Sequence, residues 1–187
     1  MERTPSLDIN YTIRIMNDAD YENMSAFSCG VAELDDFFRH EVEECVNRHY
    51  LTAYCVVSDT NEILGAFTLM NDALMIKSES DKQDFIDDLQ YETGADAVAF
   101  FSRRTSYPAI NIGHLGVSVK CQGKKIGMAI ITSVVKTYTN RLMAGCQFIT
   151  VDALNNSRTL RFYATNRFLY QTDRDFYSST RRMYRIL

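Results

Sequence analysis

The 187-residue sequence has little of what marks the specialised protein classes. With 2 Pro, 8 Gly and no single-residue tract it falls outside the collagen-like, linker-rich and low-complexity classes. Its five cysteines, at 29, 45, 55, 121 and 146, are odd in number and include no CxxC pair. That excludes a secreted disulfide framework and predicts reduced thiols. Histidine occurs only at 40, 49 and 114. His40-Glu-Val-Glu-Glu44 opens like a zinc-binding HExxH but puts Glu44 where the second ligand belongs, so no metal is expected. Gly116-Val-Ser118-Val-Lys120 lacks the closing glycine of a nucleophile elbow. GxGxxG and GxxxxGK[ST] are both missing, which removes the usual anchors for hydride transfer and nucleotide hydrolysis. No segment approaches ~18 uninterrupted apolar residues, and the polar Met1–Asn10 stretch has no signal-peptide run. No membrane partner is expected, and a soluble, cytoplasmic protein is.

What is present suits one ordinary globular domain spanning 1–187. Hydrophobic residues make up 46% of the chain, at a length where about 70% of the unfolded surface can be buried. No Pro/Gly/Ser-rich stretch separates two apolar blocks. The net charge of −4 is unevenly distributed. Between Asn71 and Asp96, eight acids face only Lys77 and Lys82, whereas from Arg158 to Leu187 seven arginines face only Asp173 and Asp175. Each run reads either as a solvated face or as part of an arginine-rich, phosphate-binding surface beside an acidic flap.

Periodicity supplies the elements. Tyr11–Met16 alternates as a strand; Val31, Leu34, Phe38, Val42 and Cys45 fall at helical spacing and predict one helix over about 31–47. Leu51–Ser58 and Ile63–Met70 read as a hairpin around Asp59-Thr-Asn-Glu62. Phe85, Ile86 and Leu89 predict a short helix over about 80–91, and Ala109–Lys120 a strand with two internal glycines. A helix over about 127–138, a strand over 148–153, a short helix near 157–165 and strands near 168–171 and 183–187 complete a mixed α/β sheet.

One junction carries chemistry. Leu115-Gly-Val-Ser-Val-Lys-Cys-Gln-Gly-Lys-Lys-Ile-Gly127-Met128 runs from a strand, through a loop with two lysines, into an amphipathic helix. The first-turn N–H groups of a helix have no intrahelical partners and carry partial positive charge, so such a loop can cradle a pyrophosphate.

These residues resemble motif A of the GNAT superfamily of acetyl-CoA-dependent N-acetyltransferases, Gln/Arg-x-x-Gly-x-Gly/Ala after a Val-x-Val strand. Gln122 and Gly127 match its first and last positions and Val117 and Val119 its strand, while Lys125 stands in place of the middle glycine. Downstream, Val151-Asp-Ala-Leu-Asn-Asn156 followed by Phe162-Tyr163 resembles the family's strand–Asn–helix segment. Its usual Gly-Phe appears here as Arg167-Phe168.

The resemblance implies a mixed, mostly antiparallel sheet of about six to seven strands flanked by helices, splayed between the motif A strand and the next. It implies acetyl-CoA as co-substrate, without metal, held by Leu115, Gly116, Val117, Val119, Gln122, Gly123, Lys124, Lys125, Ile126, Gly127, Met128 and Asn156. It further implies oxyanion stabilisation by a backbone N–H near Gly116 or Val117, and Tyr163 as the acid that protonates the departing thiolate. His114 is the candidate base nearest the reacting strand; alternation sets it on the face opposite Leu115 and Val117. Glu62, Asp72 and a water chain are the other options.

Phe27-Ser-Cys-Gly30-Val-Ala-Glu-Leu34-Asp35-Asp-Phe37-Phe38 is similar to a segment of GNAT toxins that acetylate aminoacyl-tRNA and pair with a small DNA-binding antitoxin. Read as structure alone, Ser28 caps a helix, Gly30 permits the turn into it, and Leu34, Phe37 and Phe38 are core. Three readings stay open: acetylation of a small-molecule or protein amine, acetylation of aminoacyl-tRNA with an antitoxin partner, and a non-catalytic CoA- or partner-binding module. The family often forms homodimers.

Overall fold

The alternation from Tyr11 produces β1 (Tyr11–Ile15). A computed structural model of the chain describes residues 10–140 and 144–187, with the side chains of 95–97 excepted. Most of the polar Met1–Asn10 segment, and the side chain of Asp96, therefore lie outside the described residues. After β1 comes α1 (Asp18–Asn23), which periodicity did not signal. It starts at a capping box: the Asn17 side chain accepts from the Asp20 amide at 3.2 Å and the Asp20 carboxylate accepts from the Asn17 amide at 2.8 Å. A single 3-10 turn, Met24–Ala26, follows.

The stripe over 31–47 is divided between α2 (Ala32–His40) and α3 (Val42–Asn47), which meet at Glu41 with φ −117° and ψ −29°. Neither proline nor glycine breaks the helix there. The offset instead lets Phe37, Phe38 and Val42 all enter one core. The hairpin is β2 (Thr52–Ser58) and β3 (Ile63–Met75). β3 runs five residues past the expected end at Met70, because Leu74 is fully buried and the charge of Asp72 is met by Arg182 and the Thr150 hydroxyl. The acidic segment forms α4 (Glu79–Thr93), capped by Ser78, and a further helix, α5 (Ala95–Ser102). β4 (Ser106–Val117) starts three residues before the expected Ala109, its second residue Tyr107 being fully buried, and stops before Lys120. Then follow α6 (Ile126–Thr139), β5 (Phe148–Leu154), α7 (Ser157–Thr165), β6 (Leu169–Tyr170) and β7 (Thr180–Ile186).

The strands hydrogen-bond in the order β1-β2-β3-β4-β5-β7-β6. β1–β2, β2–β3, β5–β7 and β6–β7 are antiparallel, and β4–β5 is parallel. A parallel connection needs a long crossover, which α6 supplies. The β4–β5 register covers only Ala109–Asn111 against Phe148–Thr150, although β4 runs on to Val117 and β5 to Leu154.

The chain packs as two compact units. One takes the described residues up to Met70 and Ile112–Thr137; its core gathers Met24, Phe27, Phe38, Val42 and Cys55. The other takes the described residues of Asn71–Asn111 and Tyr138–Leu187, around Leu74, Phe85, Tyr107, Phe148 and Tyr184. Both are discontinuous in sequence, since β3 and β4 contribute to each. All five cysteines are free thiols. Among the described residues no helix is long and apolar enough to cross a membrane, and no group of three metal-ligating side chains occurs.

Candidate active site

In the first unit the predicted phosphate loop is the turn between Val117, where β4 ends, and Ile126, where α6 begins. Its inner side is fixed by backbone bonds: Ser118 N donates to Leu64 O at 2.9 Å, Cys121 N to Ser118 O at 2.8 Å and Lys124 N to Cys121 O at 3.2 Å. Ile126 and Gly127 are buried, while Gly123, Lys124, Lys125 and Met128 face outward. The first helical bond runs from Ala129 N to Lys125 O. The amides of Ile126, Gly127 and Met128 thus lie in the first turn, where N–H groups have no intrahelical acceptor. Neither Lys124 nor Lys125 forms an ion pair among the described residues, whereas Lys120 pairs with Glu62 at 3.1 Å. The loop thus exposes two lysines beside the first turn of α6.

Lys125 adopts φ +64°, the left-handed conformation in which its Cβ crowds the backbone. The sequence departs from the motif A pattern here in residue type while the backbone keeps the geometry a glycine would take. Lys125→Gly should therefore raise the stability of the chain by up to about 1 kcal/mol. It should also weaken acetyl-CoA binding about fivefold, by removing a phosphate partner worth ~1 kcal/mol. Thermal unfolding and titration calorimetry check the two effects separately; tighter binding would mean that the side chain crowds the phosphates instead of holding them.

The segment before α2 backs this loop. Ser28 is not a helix cap: the N-cap is Val31, without a side-chain bond, and the Ser28 hydroxyl donates to Asp35 Oδ2 at 2.6 Å. Asp35 Oδ1 accepts from the Cys29 amide at 2.7 Å. Gly30 takes the expected turn at φ +81°. Gln122 Nε2 donates to Cys29 O at 2.7 Å and Val117 O at 3.1 Å, so this amide secures the loop from within. At Gly116 the strand passes so close to this segment that a Cβ would stand 3.1 Å from Cys29 Cβ and 3.3 Å from its Sγ.

His114 lies under α2, its ring stacked on Phe37 at 3.5 Å and 6°. Its Nδ1 is 3.1 Å from the Thr68 hydroxyl oxygen, which also accepts from the His114 amide at 3.1 Å. Thr68 is fully buried, so its hydroxyl proton finds its acceptor in Nδ1. Burial holds the imidazole pKa below its ordinary value, and the ring is neutral at neutral pH. Because the His114 amide points toward β3, alternation turns those of Leu115 and Val117 to the opposite strand edge.

In the second unit Asn156 is the N-cap of α7, its side-chain oxygen accepting from Thr159 N at 2.9 Å. Tyr163 lies on the same helix, 7% exposed, its ring against Phe162 and Phe168 at 5.1 and 5.2 Å. Burial raises its pKa, so the phenol stays protonated. Among the described residues no buried side-chain oxygen or nitrogen lacks a partner, and the Tyr163 hydroxyl bonds to none of their groups. Its oxygen therefore reaches solvent.

The arginine run is less available than its composition suggests. Arg181 is buried against Asp175 at 2.5 Å, Arg182 bridges Asp72 and Asp152, Arg167 meets Glu92 at 2.7 Å, and Arg185 donates to Asn166 O at 2.7 Å. Acidic and basic stretches partly neutralise each other inside this unit. Asp72 is thereby committed as an ion-pair partner, and Glu62 to Lys120. On α4, Asp84 and Asp87 remain exposed, whereas Asp88 accepts from the Tyr184 hydroxyl at 3.0 Å. Phe37, read as core, is buried and also stacks on His114, whereas the residues that sequence reasoning missed are Asp35 as a tether and Thr68. Only Asp35 had a signal, its place after Leu34 in the toxin-like segment.

No protein-family model and no curated protein matches the chain. Solved structures do. A tyrosine-to-phenylalanine mutant of KacT superposes with TM-score 0.70 at 20% identity, covering 94% of each chain. AtaT complexed with acetyl-methionyl-tRNAfMet gives 0.67 at 20% identity, covering 92% of this chain and 94% of that one. A mutant AtaT toxin bound to acetyl-CoA and the C-terminus of the antitoxin AtaR gives 0.68 at 19%, covering 94% and 92%. At such identities the likeness speaks for architecture, and the chain has the GNAT fold in the form taken by KacT and the AtaT toxin.

Proposed function

We propose that the chain is an acetyl-CoA-dependent N-acetyltransferase whose acceptor is the amine of an aminoacyl-tRNA. The observation that carries the transferase reading is the 118–127 loop, where two exposed lysines without an ion-pair partner among the described residues stand beside the first-turn amides of α6, a combination suited to an anion. Acetyl-CoA supplies the activated thioester. Lys124, Lys125 and the amides of Ile126, Gly127 and Met128 take its pyrophosphate. The outward edge of β4 at Leu115 and Val117 pairs with the pantetheine arm as another strand would, and an N–H there meets the charge that develops on the acyl oxygen. Tyr163 donates its proton to the thiolate sulfur as the amine–carbonyl bond forms and the carbon–sulfur bond breaks. Nδ1 of His114 is engaged by Thr68, so the ammonium proton passes to water and His114 holds α2 against β4. In this reading Gln122 and Asn156 shape the site through the bonds already described.

The tRNA acceptor draws support from the likeness over nearly the whole chain to AtaT with acetyl-methionyl-tRNAfMet; an antitoxin and a homodimer go with it. The pairing of four arginines within the chain favours the second reading, a small-molecule or protein amine, because tRNA binding leans on uncommitted Lys and Arg. Labelled acetyl-CoA incubated with charged tRNA pools, free amines and proteins separates them. Label on the aminoacyl amine, with growth arrest on expression, is the expected result. Label only on free amines or proteins shifts the acceptor, and absence of both binding and transfer leaves a non-catalytic module.

A further inference from the structure

The turn Phe27–Gly30 is bound on two sides by groups of the first unit. On one side α2 holds it: Asp35 takes the Ser28 hydroxyl at 2.6 Å and the Cys29 amide at 2.7 Å, and Arg39 Nη2 and Nε donate to Phe27 O at 2.6 and 3.2 Å. On the other side the turn holds the loop: Ser28 O accepts from Val119 N at 2.9 Å, and Cys29 O accepts from Gln122 Nε2 at 2.7 Å. Asp35 is only 7% exposed. Burial works against its charge, yet the bonds from Ser28 and Cys29, with Arg39 near by, hold the carboxyl below the ordinary aspartate range. A buried carboxylate with both oxygens engaged is an expensive way to start a helix, and Val31 already serves as the N-cap without it. Its bonds lead instead, through two peptide units, to the loop.

We propose that Asp35 is a positioning residue for acetyl-CoA: through the 27–30 turn it fixes the 117–122 backbone in the shape that receives the cofactor. Bonds to charged groups are the stronger kind and fix geometry as well as energy, and a loop displaced by about 1 Å loses much of its binding competence. The same helix carries Phe37 over His114, so α2 joins the cofactor loop to the reacting strand. The proposal rests on the reading that this loop binds acetyl-CoA, and its test separates the two.

Acetyl-CoA affinity and amide hydrogen exchange are measured on the full chain for wild type, Asp35→Ala, Asp35→Asn and Ser28→Ala. Asp35→Ala should raise the KM for acetyl-CoA about tenfold with kcat little changed. It should also accelerate exchange at the Val119 amide while core amides such as that of Val56 stay protected. Asp35→Asn, which can still accept from the Cys29 amide, should recover most of the affinity, and Ser28→Ala should show a weaker loss of about threefold in a chain that folds regardless. Wild-type exchange at Val119 in Asp35→Ala and Ser28→Ala would overturn the tether. Faster exchange with unchanged affinity would keep the tether and overturn its role toward acetyl-CoA. No acetyl-CoA binding by wild type would overturn the reading beneath it, with the exchange data still reporting on the tether.

Discussion

Tyr163→Phe should lower kcat for acetyl transfer by about 100-fold, the lower range for removing a general acid, while acetyl-CoA affinity and thermal stability stay near wild type. The two outcomes belong together because of how the residue sits. Its ring is packed against Phe162 and Phe168, contacts that phenylalanine retains, and its hydroxyl has no hydrogen-bond partner among the described residues. The substitution thus removes one proton donor and no packing. Since burial raises the phenol pKa, the acid form persists across any ordinary assay range, and the wild-type rate should show no alkaline decline from this group. A rate unchanged in Tyr163→Phe, followed with labelled acetyl-CoA, would remove the residue from the mechanism and assign protonation of the thiolate to water.

Gly116→Val should destabilise the chain by about 1–3 kcal/mol, the usual range for overpacking a filled interior, and weaken acetyl-CoA binding more than tenfold. The first atom of any side chain at 116 would meet Cys29 Cβ at 3.1 Å, Cys29 Sγ at 3.3 Å and the Phe27 ring at 3.4 Å. Those atoms belong to the turn that holds the 117–122 backbone, so relief of the clash must move either the turn or the strand. Calorimetric unfolding measures the first effect and acetyl-CoA titration the second. Cys29→Gly in the same chain deletes both sulfur and Cβ and should restore part of each. Unfolding at the wild-type temperature in Gly116→Val alone would mean that the close approach constrains nothing.

Most of the fold was legible because its elements carry their own periodicity. β1, the β2–β3 hairpin, α6, β5 and α7 fall within a few residues of where apolar spacing predicts them. The differences arise where tertiary partners override local signals. β3 continues through Asp72 because that charge is compensated by residues 78 and 110 positions away, Thr150 and Arg182. The 31–47 helix turns at Glu41 to bury three residues in one core. Ser28 looks like a cap and is a ligand of Asp35 instead, since a hydroxyl seven residues from a carboxylate can reach it only after the chain has turned at Gly30.

The candidate site divides in the same way. Residue type and spacing pointed to a candidate phosphate loop at the mouth of α6 and to the absence of the other motifs, and the resemblance to the GNAT pattern singled out Tyr163 on a short helix, because those features depend on neighbours a few positions apart. Which charges remain free was decided only by folding. Seven arginines near the C-terminus look like a phosphate surface in the sequence, yet at least four of them are bonded within the chain, while Lys124 and Lys125, two cations among many, stand exposed on the loop without an ion-pair partner among the described residues. A charge count is local and additive, whereas availability depends on partners that the chain brings together from far apart.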